Sequence, residues 1–286
     1  MPSLKDLRAR IRSVKNTQQI TKTMKMVAAA KVRRARNACE AAQPYAQRLN
    51  NVLGNLAAAT SSGPLLLTGR DEVKTVRLIV LGADRGLCGG FNANLHRGTV
   101  TEIEKHLANG KKVEVFAVGR KARDSVRITH RDLLVGERTD VSKDIGFELA
   151  EEIALEALTD FEAGACDEVH ILFMECVSML TQLPRSQQLV PFAPSEEQLA
   201  STSTFEYEPS EGEILETLLP KNVKTQVLNA MLNSAASEQA ARMTAMDNAT
   251  RNAGEMIQNL TLEYNRSRQA AITKELIEII SGAEAL

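Results

Sequence analysis

The sequence predicts an α/β domain, Rossmann-like in outline, inserted between two long terminal helices that pair as an antiparallel coiled coil. Three observations lead there: both ends of the chain are helical in composition and period, the middle alternates strands with helices, and the terminal helices are too long for a globule of 286 residues. The corresponding segments are 1–60, 74–208 and 210–286.

Between Pro2 and Pro64 the only proline is Pro44, and Ala, Lys, Arg, Gln and Met, all good helix formers, dominate. Ser3 and Asp6 have capping-box spacing. Leu4, Leu7, Ile11 and Val14, then Met24, Val27, Ala28, Val32 and Ala35, recur at helical intervals. The helix should stop at Ser61-Ser62-Gly63-Pro64 and kink at Pro44, which lacks a backbone donor and crowds the preceding turn. Gln18, Thr21 and Lys25 interrupt a strict heptad, which suggests a coil that also meets an outside surface.

The middle has another rhythm. Residues 76–81 read as a buried strand, followed by a glycine-rich turn and a helix to about Leu107. Residues 113–118 and 168–174 read as further strands, with a long helix over 142–159 between them. Such alternation predicts a small parallel sheet covered by helices. Residues 183–192 and 205–207 read as strands or edges, and the Pro-, Ser- and Thr-rich stretch 193–204 as loop.

The C-terminal third returns to helical periodicity. Ser210 and Glu213 repeat the capping-box spacing after Pro209, and the pattern runs to Gly282, a candidate left-handed stop. Pro220 and Gly254 weaken it locally, while Ala235, Ala241, Ala245, Ala249 and Ala253 permit close helix–helix approach. The two helices would span roughly 85 and 105 Å. A compact globule of this chain length would be only about 50 Å across. Both must project, and each projecting apolar stripe finds its simplest partner in the other.

Composition narrows the function. An apolar fraction of 43% with 25% charged residues is that of a soluble protein, and no apolar run approaches the ~18 residues of a membrane span. Aromatic residues make up 3% of the chain and tryptophan is missing, which argues against a base-stacking surface. The N-terminus opens directly in a charged amphipathic stretch, so no signal peptide is expected. Cys39, Cys88, Cys166 and Cys176 show no C-x-x-C spacing and read as reduced thiols; the four histidines are too scattered for a metal site. Net charge is near zero, but residues 1–36 carry eleven basic side chains against the single acid Asp6. A run this dense implies an acidic partner surface.

Asp84-Arg85-Gly86-Leu87-Cys88-Gly89-Gly90 follows the first strand and opens a helix, where phosphates often bind. The glycines at 82, 86, 89 and 90 do not make G-x-G-x-x-G, no G-K-[ST] follows, and the second strand ends in Gly119-Arg120-Lys121 without an acid for a ribose. The stretch therefore reads as a tight structural turn, with a reactive Cys88 at the helix start as the lesser reading. No nucleophile motif or paired-carboxylate cluster is evident, so no enzymatic activity and no cofactor are expected. The basic N-terminal helix leaves one alternative, a basic coiled-coil nucleic-acid-binding protein gripping phosphates. Against it, no clean leucine heptad follows the basic region.

The C-terminal residues Ile272-Thr273-Lys274-Glu275-Leu276-Ile277-Glu278-Ile279-Ile280-Ser281-Gly282-Ala283-Glu284-Ala285 resemble the signature of the γ subunits of rotary F-type ATP synthases. Residues 12–22, Met26-Val27-Ala28-Ala29, the turn 84–90 and Ser237-Glu238-Gln239-Ala240-Ala241-Arg242-Met243 resemble the same family, so the resemblance spans nearly the whole chain. It implies a non-catalytic central stalk. The coiled coil would pass through a hexamer of alternating α and β subunits, and the α/β domain would sit on the c-subunit ring beside ε. ATP chemistry would belong to the β subunits, and membrane association would come only through the complex.

The same resemblance implies roles by position. Arg268 and Gln269 would hydrogen-bond a loop of one β subunit. Met24 would sit opposite the helix bearing Arg242, Thr273, Glu275 and Glu278, positions tied to coupling. Ile272, Leu276, Ile277, Ile279 and Ile280 would form an apolar tip turning in a hydrophobic sleeve, and Phe205 and Tyr207 would meet the c ring and ε. Lys25 departs from the family pattern and puts any ion pair there in doubt. The cysteine-bearing insertion of the chloroplast type is missing, so redox gating is not expected. Without a visible transit peptide, the expected location is the cytoplasmic face of a bacterial plasma membrane.

Overall fold

The computed structural model describes residues 3–59, 63–141, 145–193 and 211–284. In chain order the elements are α1 (Leu4–Ala59), α2 (Leu65–Thr68), β1 (Thr75–Leu81), α3 (Phe91–Ala108), β2 (Lys112–Val118), α4 (Arg120–Thr129), a 3-10 turn (Arg131–Leu133), β3 (Leu134–Arg138), α5 (Phe147–Glu162), β4 (Glu168–Cys176), β5 (Gln182–Val190) and α6 (Glu211–Glu284). They form two compact units: residues 1–28 with 242–286, and residues 29–241. The division falls inside α1 and α6, not at the ends of the helices.

In the larger unit a five-stranded sheet has the order β3-β2-β1-β4-β5, with β5 antiparallel and every other pair parallel. Strand β1 is buried along nearly its whole length because both faces are covered. Its alternate residues serve two cores. Leu78 and Val80 pack with Val113, Val115 and Ala117 of β2 against Phe91, Leu95 and Ile103 of α3 and Ala122 and Val126 of α4. Ile79 and Leu81 join Phe116, Val118, Ile171 and Phe173 in the other core, under Ala150, Ile153, Ala157 and Phe161 of α5.

That second core also takes in parts of both long helices. Leu49, Leu53 and Leu56 of α1 and Leu215, Leu219, Val223, Val227, Ala230 and Met231 of α6 are buried in it. This is why residues expected to belong to free-standing helices fall into the same unit as the sheet. Each fully buried Leu here contributes about 1.5–3 kcal/mol relative to exposure.

One charged cluster is built into this unit. Arg77 of β1 donates to Glu114 on β2 at 2.7 Å and to Asp160 on α5, while Lys112 also reaches Glu114 at 2.8 Å. Burial raises the Glu114 carboxyl, but hydrogen bonds from Arg77 and Lys112 outweigh it and hold the pKa below the ordinary glutamate value.

The expected strands over 76–81, 113–118, 168–174 and 183–192 are present with boundaries shifted by one or two residues. The long middle helix starts later than expected, at Phe147, because Gly146 is still extended (φ −127°, ψ 179°); its expected opening residues 142–144 lie outside the described ones. Helix α4 and strand β3 were not anticipated. Only Ala122 and Val126 of α4 are buried, and β3 is a short edge strand, so neither leaves a strong apolar pattern. The helix assignment of α1 continues through Pro44, and that of α6 through Pro220, Gly254 and Gly282, so Gly282 does not end it. The strand expected at 205–207, the loop over 194–204 and the Ser210 cap lie outside the described residues.

A second polar cluster pairs two histidines. His106, in the last turn of α3, is buried with its ring 5.1 Å from that of His170 on β4, and neither His106 nitrogen has a hydrogen-bond partner. Glu102 lies 3.6 Å from His106 and Glu168 lies 3.4 Å from His170. Burial pushes both imidazoles below the ordinary histidine pKa. Lys111 and Lys105 add to the effect at His106, His106 adds to it at His170, and Glu102 and Glu168 oppose it incompletely.

The fold thus holds both rings neutral. Their contribution is present above the unfolded pKa of about 6.5 and lost as pH falls through it towards the folded values. We expect the denaturant midpoint to drop between about pH 7 and pH 5, before carboxylates such as Glu114 titrate. The double variant His106→Gln, His170→Gln should flatten that drop. A parent midpoint unchanged over this range would contradict the assignment.

Candidate partner-binding surface

In the smaller unit α1 and α6 bury their apolar stripes on each other. The α1 seam runs Leu4, Leu7, Ile11, Val14, Gln18, Thr21, Lys25, Ala28, alternating steps of three and four as a coiled-coil seam requires. Leu7, Thr21 and Ala28 of α1 are buried, as are Met246 and Ala253 of α6. The seam is therefore unbroken in geometry. It changes only in chemistry, from apolar to polar at Gln18, Thr21 and Lys25.

Each of those polar residues has a partner across the seam. Gln18 Nε2 donates to the Thr250 carbonyl at 3.4 Å, the Thr250 hydroxyl donates to Thr21 Oγ1 at 2.8 Å, and Lys25 donates to Asp247 at 2.6 Å. Gln18, Thr21 and Lys25 thus bond across the seam to α6, where an outside surface was expected. Lys25 also makes the ion pair that its departure from the family pattern had put in doubt. Its hydrogen bond holds the Asp247 carboxyl below the ordinary aspartate pKa. Gly254 lies where any Cβ would come 3.1 Å from Gln18 Nε2, so the glycine permits this close approach. Thr250 and Asp247 were missed in sequence; the signal that could have found them was the polar break in the α1 heptad, which demands polar partners opposite.

The register is antiparallel, since the partner number on α6 rises from Asp247 opposite Lys25 to Tyr264 beside Arg8, which donates to its hydroxyl at 2.6 Å. Continued, it brings the start of α1 level with Arg268. Beyond that point about sixteen residues of α6, roughly 24 Å, have no described α1 residue alongside. Ile272, Leu276, Ile277, Ile279 and Ile280 occupy this end, all more than half exposed. Five large aliphatic side chains exposed at one helix end form an apolar patch with no partner among the described residues.

Arg268 and Gln269 are exposed at the base of this end. Met24 is half-buried in the seam, near the level of Asp247, and Arg242 is half-buried less than two turns away along α6. Thr273, Glu275 and Glu278 lie roughly 40 Å further along α6, so the structure does not bring them to Met24. Thr273 instead donates to the Gln269 carbonyl at 3.0 Å, and Glu278 lies 3.6 Å from Lys274. Phe205 and Tyr207 lie outside the described residues.

In the larger unit the place where sheets of this order take a ligand is occupied by the chain itself. In an open sheet of this order the ligand crevice lies at the carboxyl ends of the strands, where the order reverses between β1 and β4. Here α6 sits in it: Ser234 donates to the Leu81 carbonyl at 3.2 Å and Ser237 to the Met174 carbonyl at 2.8 Å, both serines buried. The Asp84 carboxylate accepts the backbone N–H groups of Arg120, at the start of α4, and Asp140, at 3.0 and 2.9 Å. At the start of α4, a carboxylate of the chain itself thus takes the place an anion would. Gly119, at φ 94°, lies so close to β1 that a Cβ would fall 2.2 Å from the Gly82 carbonyl. Cys88 is buried and accepts a hydrogen bond from Asn92 at 3.1 Å, as befits a packed turn.

Comparison with known proteins identifies the assembly to which such a chain belongs. The family model described as ATP synthase matches residues 3–286. The ATP synthase gamma chain of Rhizobium etli is 50% identical over 295 residues, covering 100% of both chains, and those of Ruegeria pomeroyi and a Methylobacterium species are 51% and 52% identical over equally complete spans. The chain belongs to the ATP synthase gamma-chain family. It is a non-catalytic member of that assembly, and the nucleic-acid-binding alternative finds no support in the match.

Solved structures agree in fold. A chain of the central stalk and c-ring of the Tetrahymena thermophila mitochondrial ATP synthase aligns with TM-score 0.61 at 26% identity, over 80% of this chain and 99% of that one. A chain of the Euglena gracilis mitochondrial ATP synthase, from a structure of OSCP, F1 and the c-ring, aligns with TM-score 0.68 at 21% identity over 99% and 94%.

Because Ile277 and Ile280 are more than half exposed among the described residues, Ile277→Gln with Ile280→Gln should leave the unfolding free energy of the isolated protein within about 0.5 kcal/mol of the parent. Denaturant titration followed by circular dichroism checks this. A loss of about 2 kcal/mol or more would show that these side chains are packed.

Proposed function

We propose that the chain is the central rotor shaft of a proton-translocating F-type ATP synthase, coupling rotation of the c-subunit ring to ATP synthesis or hydrolysis at the β-subunit sites. One observation carries the reading: in a chain of the gamma-chain family, α6 runs on past its partner helix and presents an apolar end to the outside. Apolar contact is non-directional, so such an end can turn in a hydrophobic sleeve formed by the hexamer of α and β subunits without losing its binding energy. The basic stretch of residues 1–36 faces acidic loops of the β subunits. Arg268 and Gln269, exposed where the helix pair gives out, hydrogen-bond a β-subunit loop, and the planar Arg268 fork suits a carboxylate there.

The coupling is energetic. A shaft with different faces makes different contacts with three chemically identical sites, so their affinities differ, and rotation changes which site is tight. Met24 and Arg242 in the seam, and Thr273, Glu275 and Glu278 on the exposed end, contribute those faces. Phe205 and Tyr207 meet the c ring and ε. The chain sits peripherally at the cytoplasmic face of a bacterial plasma membrane; no helix among the described residues is long and apolar enough to cross a bilayer.

The purified chain should hydrolyse no ATP, yet restore ATPase activity when mixed with α and β subunits; hydrolysis by the chain alone would refute the assignment. Arg268→Ala should weaken assembly about tenfold, equivalent to about 1.4 kcal/mol, while helicity of the isolated chain is unchanged. A large helix loss in that variant would mean that Arg268 serves the fold, not the partner.

A further inference from the structure

Two of the four thiols share a cavity. Cys39 of α1 and Cys176, the last residue of β4, both line a space of about 190 Å³, with Asn233 and Ala236 of α6 also in its wall. Both are free and half-buried, whereas Cys88 and Cys166 are buried in the sheet cores. The cavity opens beside the turn between β4 and β5, where Val177 and Leu180 stand well out in solvent, so a small molecule can reach Cys176. The two sulfurs also feel each other: burial first, then the charge of a Cys176 thiolate and of Glu40, push the Cys39 thiol up to about 11.

We propose that Cys39 and Cys176 form a dithiol site that a low-molecular-weight disulfide converts to an intramolecular disulfide, tying α1 to the end of β4. The exchange needs no other oxidant. The Cys176 thiolate attacks one sulfur of the small disulfide, breaking its S–S bond and expelling one thiolate; Cys39 then loses its proton to solvent and attacks the Cys176 sulfur, expelling the second. Two protein thiols are oxidised and one small disulfide is reduced to two thiols. The order follows from the site. Cys39 holds its proton too tightly to attack first at neutral pH, and capping Cys176 removes the neighbouring negative charge that helps to hold that proton.

Exposing the full-length chain to graded glutathione disulfide, blocking remaining thiols by alkylation and mapping peptides by mass spectrometry tests the proposal. The expected result is loss of two of the four free thiols, one linked peptide pair containing Cys39 and Cys176, and full reversal by dithiothreitol. Cys39→Ser should instead stop at a stable mixed disulfide on Cys176. Four thiols remaining after oxidation, linkage through Cys88 or Cys166, or a mixed disulfide on Cys176 that the parent chain fails to resolve would each overturn it.

Discussion

The constraint behind this structure is that two long helices carry apolar stripes which water will not tolerate along their length. The chain meets it in two ways. In one unit Leu49, Leu53 and Leu56 of α1 and the leucines and valines at 215–227 of α6 are buried against a sheet core that also holds α5. In the other the helices have only each other, and Leu7, Ala28, Met246 and Ala253 close the seam. Where neither solution is on offer, at the end of α6, the stripe stays exposed.

Use of α6 as a covering element has a chemical consequence. The crevice at the reversal of strand order, which many sheets of this kind give to a nucleotide, is occupied by Ser234 and Ser237 bonded to the carbonyls of Leu81 and Met174. Asp84 takes the backbone N–H groups of Arg120, at the start of α4, and of Asp140. A fold associated with ligand binding is converted to scaffold by filling its site with the chain's own atoms, which leaves nucleotide chemistry to other subunits. Fold alone would have misled here; the local contacts decide.

Within the helix pair, polar residues carry specificity and apolar ones carry stability. An all-apolar seam tolerates sliding by a turn, whereas Gln18, Thr21 and Lys25 are satisfied only when Thr250 and Asp247 lie opposite, which fixes the antiparallel register. That register in turn sets how much of α6 overhangs, and so places Arg268, Gln269 and the aliphatic end.

Much of this was legible in the residues themselves. Strands β1, β2, β4 and β5, the capping box of Ser3 and Asp6, the helical identity of both ends and the lack of a phosphate-binding glycine pattern all follow from local rules about period, propensity and spacing. Helix α4 and strand β3 were not legible, because two buried residues in ten or a short edge strand leave little periodicity to detect. Nor could sequence tell that Gln18, Thr21 and Lys25 face inward, that Asp84 caps α4, or that Cys39 and Cys176 line one cavity. Those facts join residues far apart in the chain. Local chemistry dictates what each segment is; which segments meet is decided only when competing burials are settled together in three dimensions.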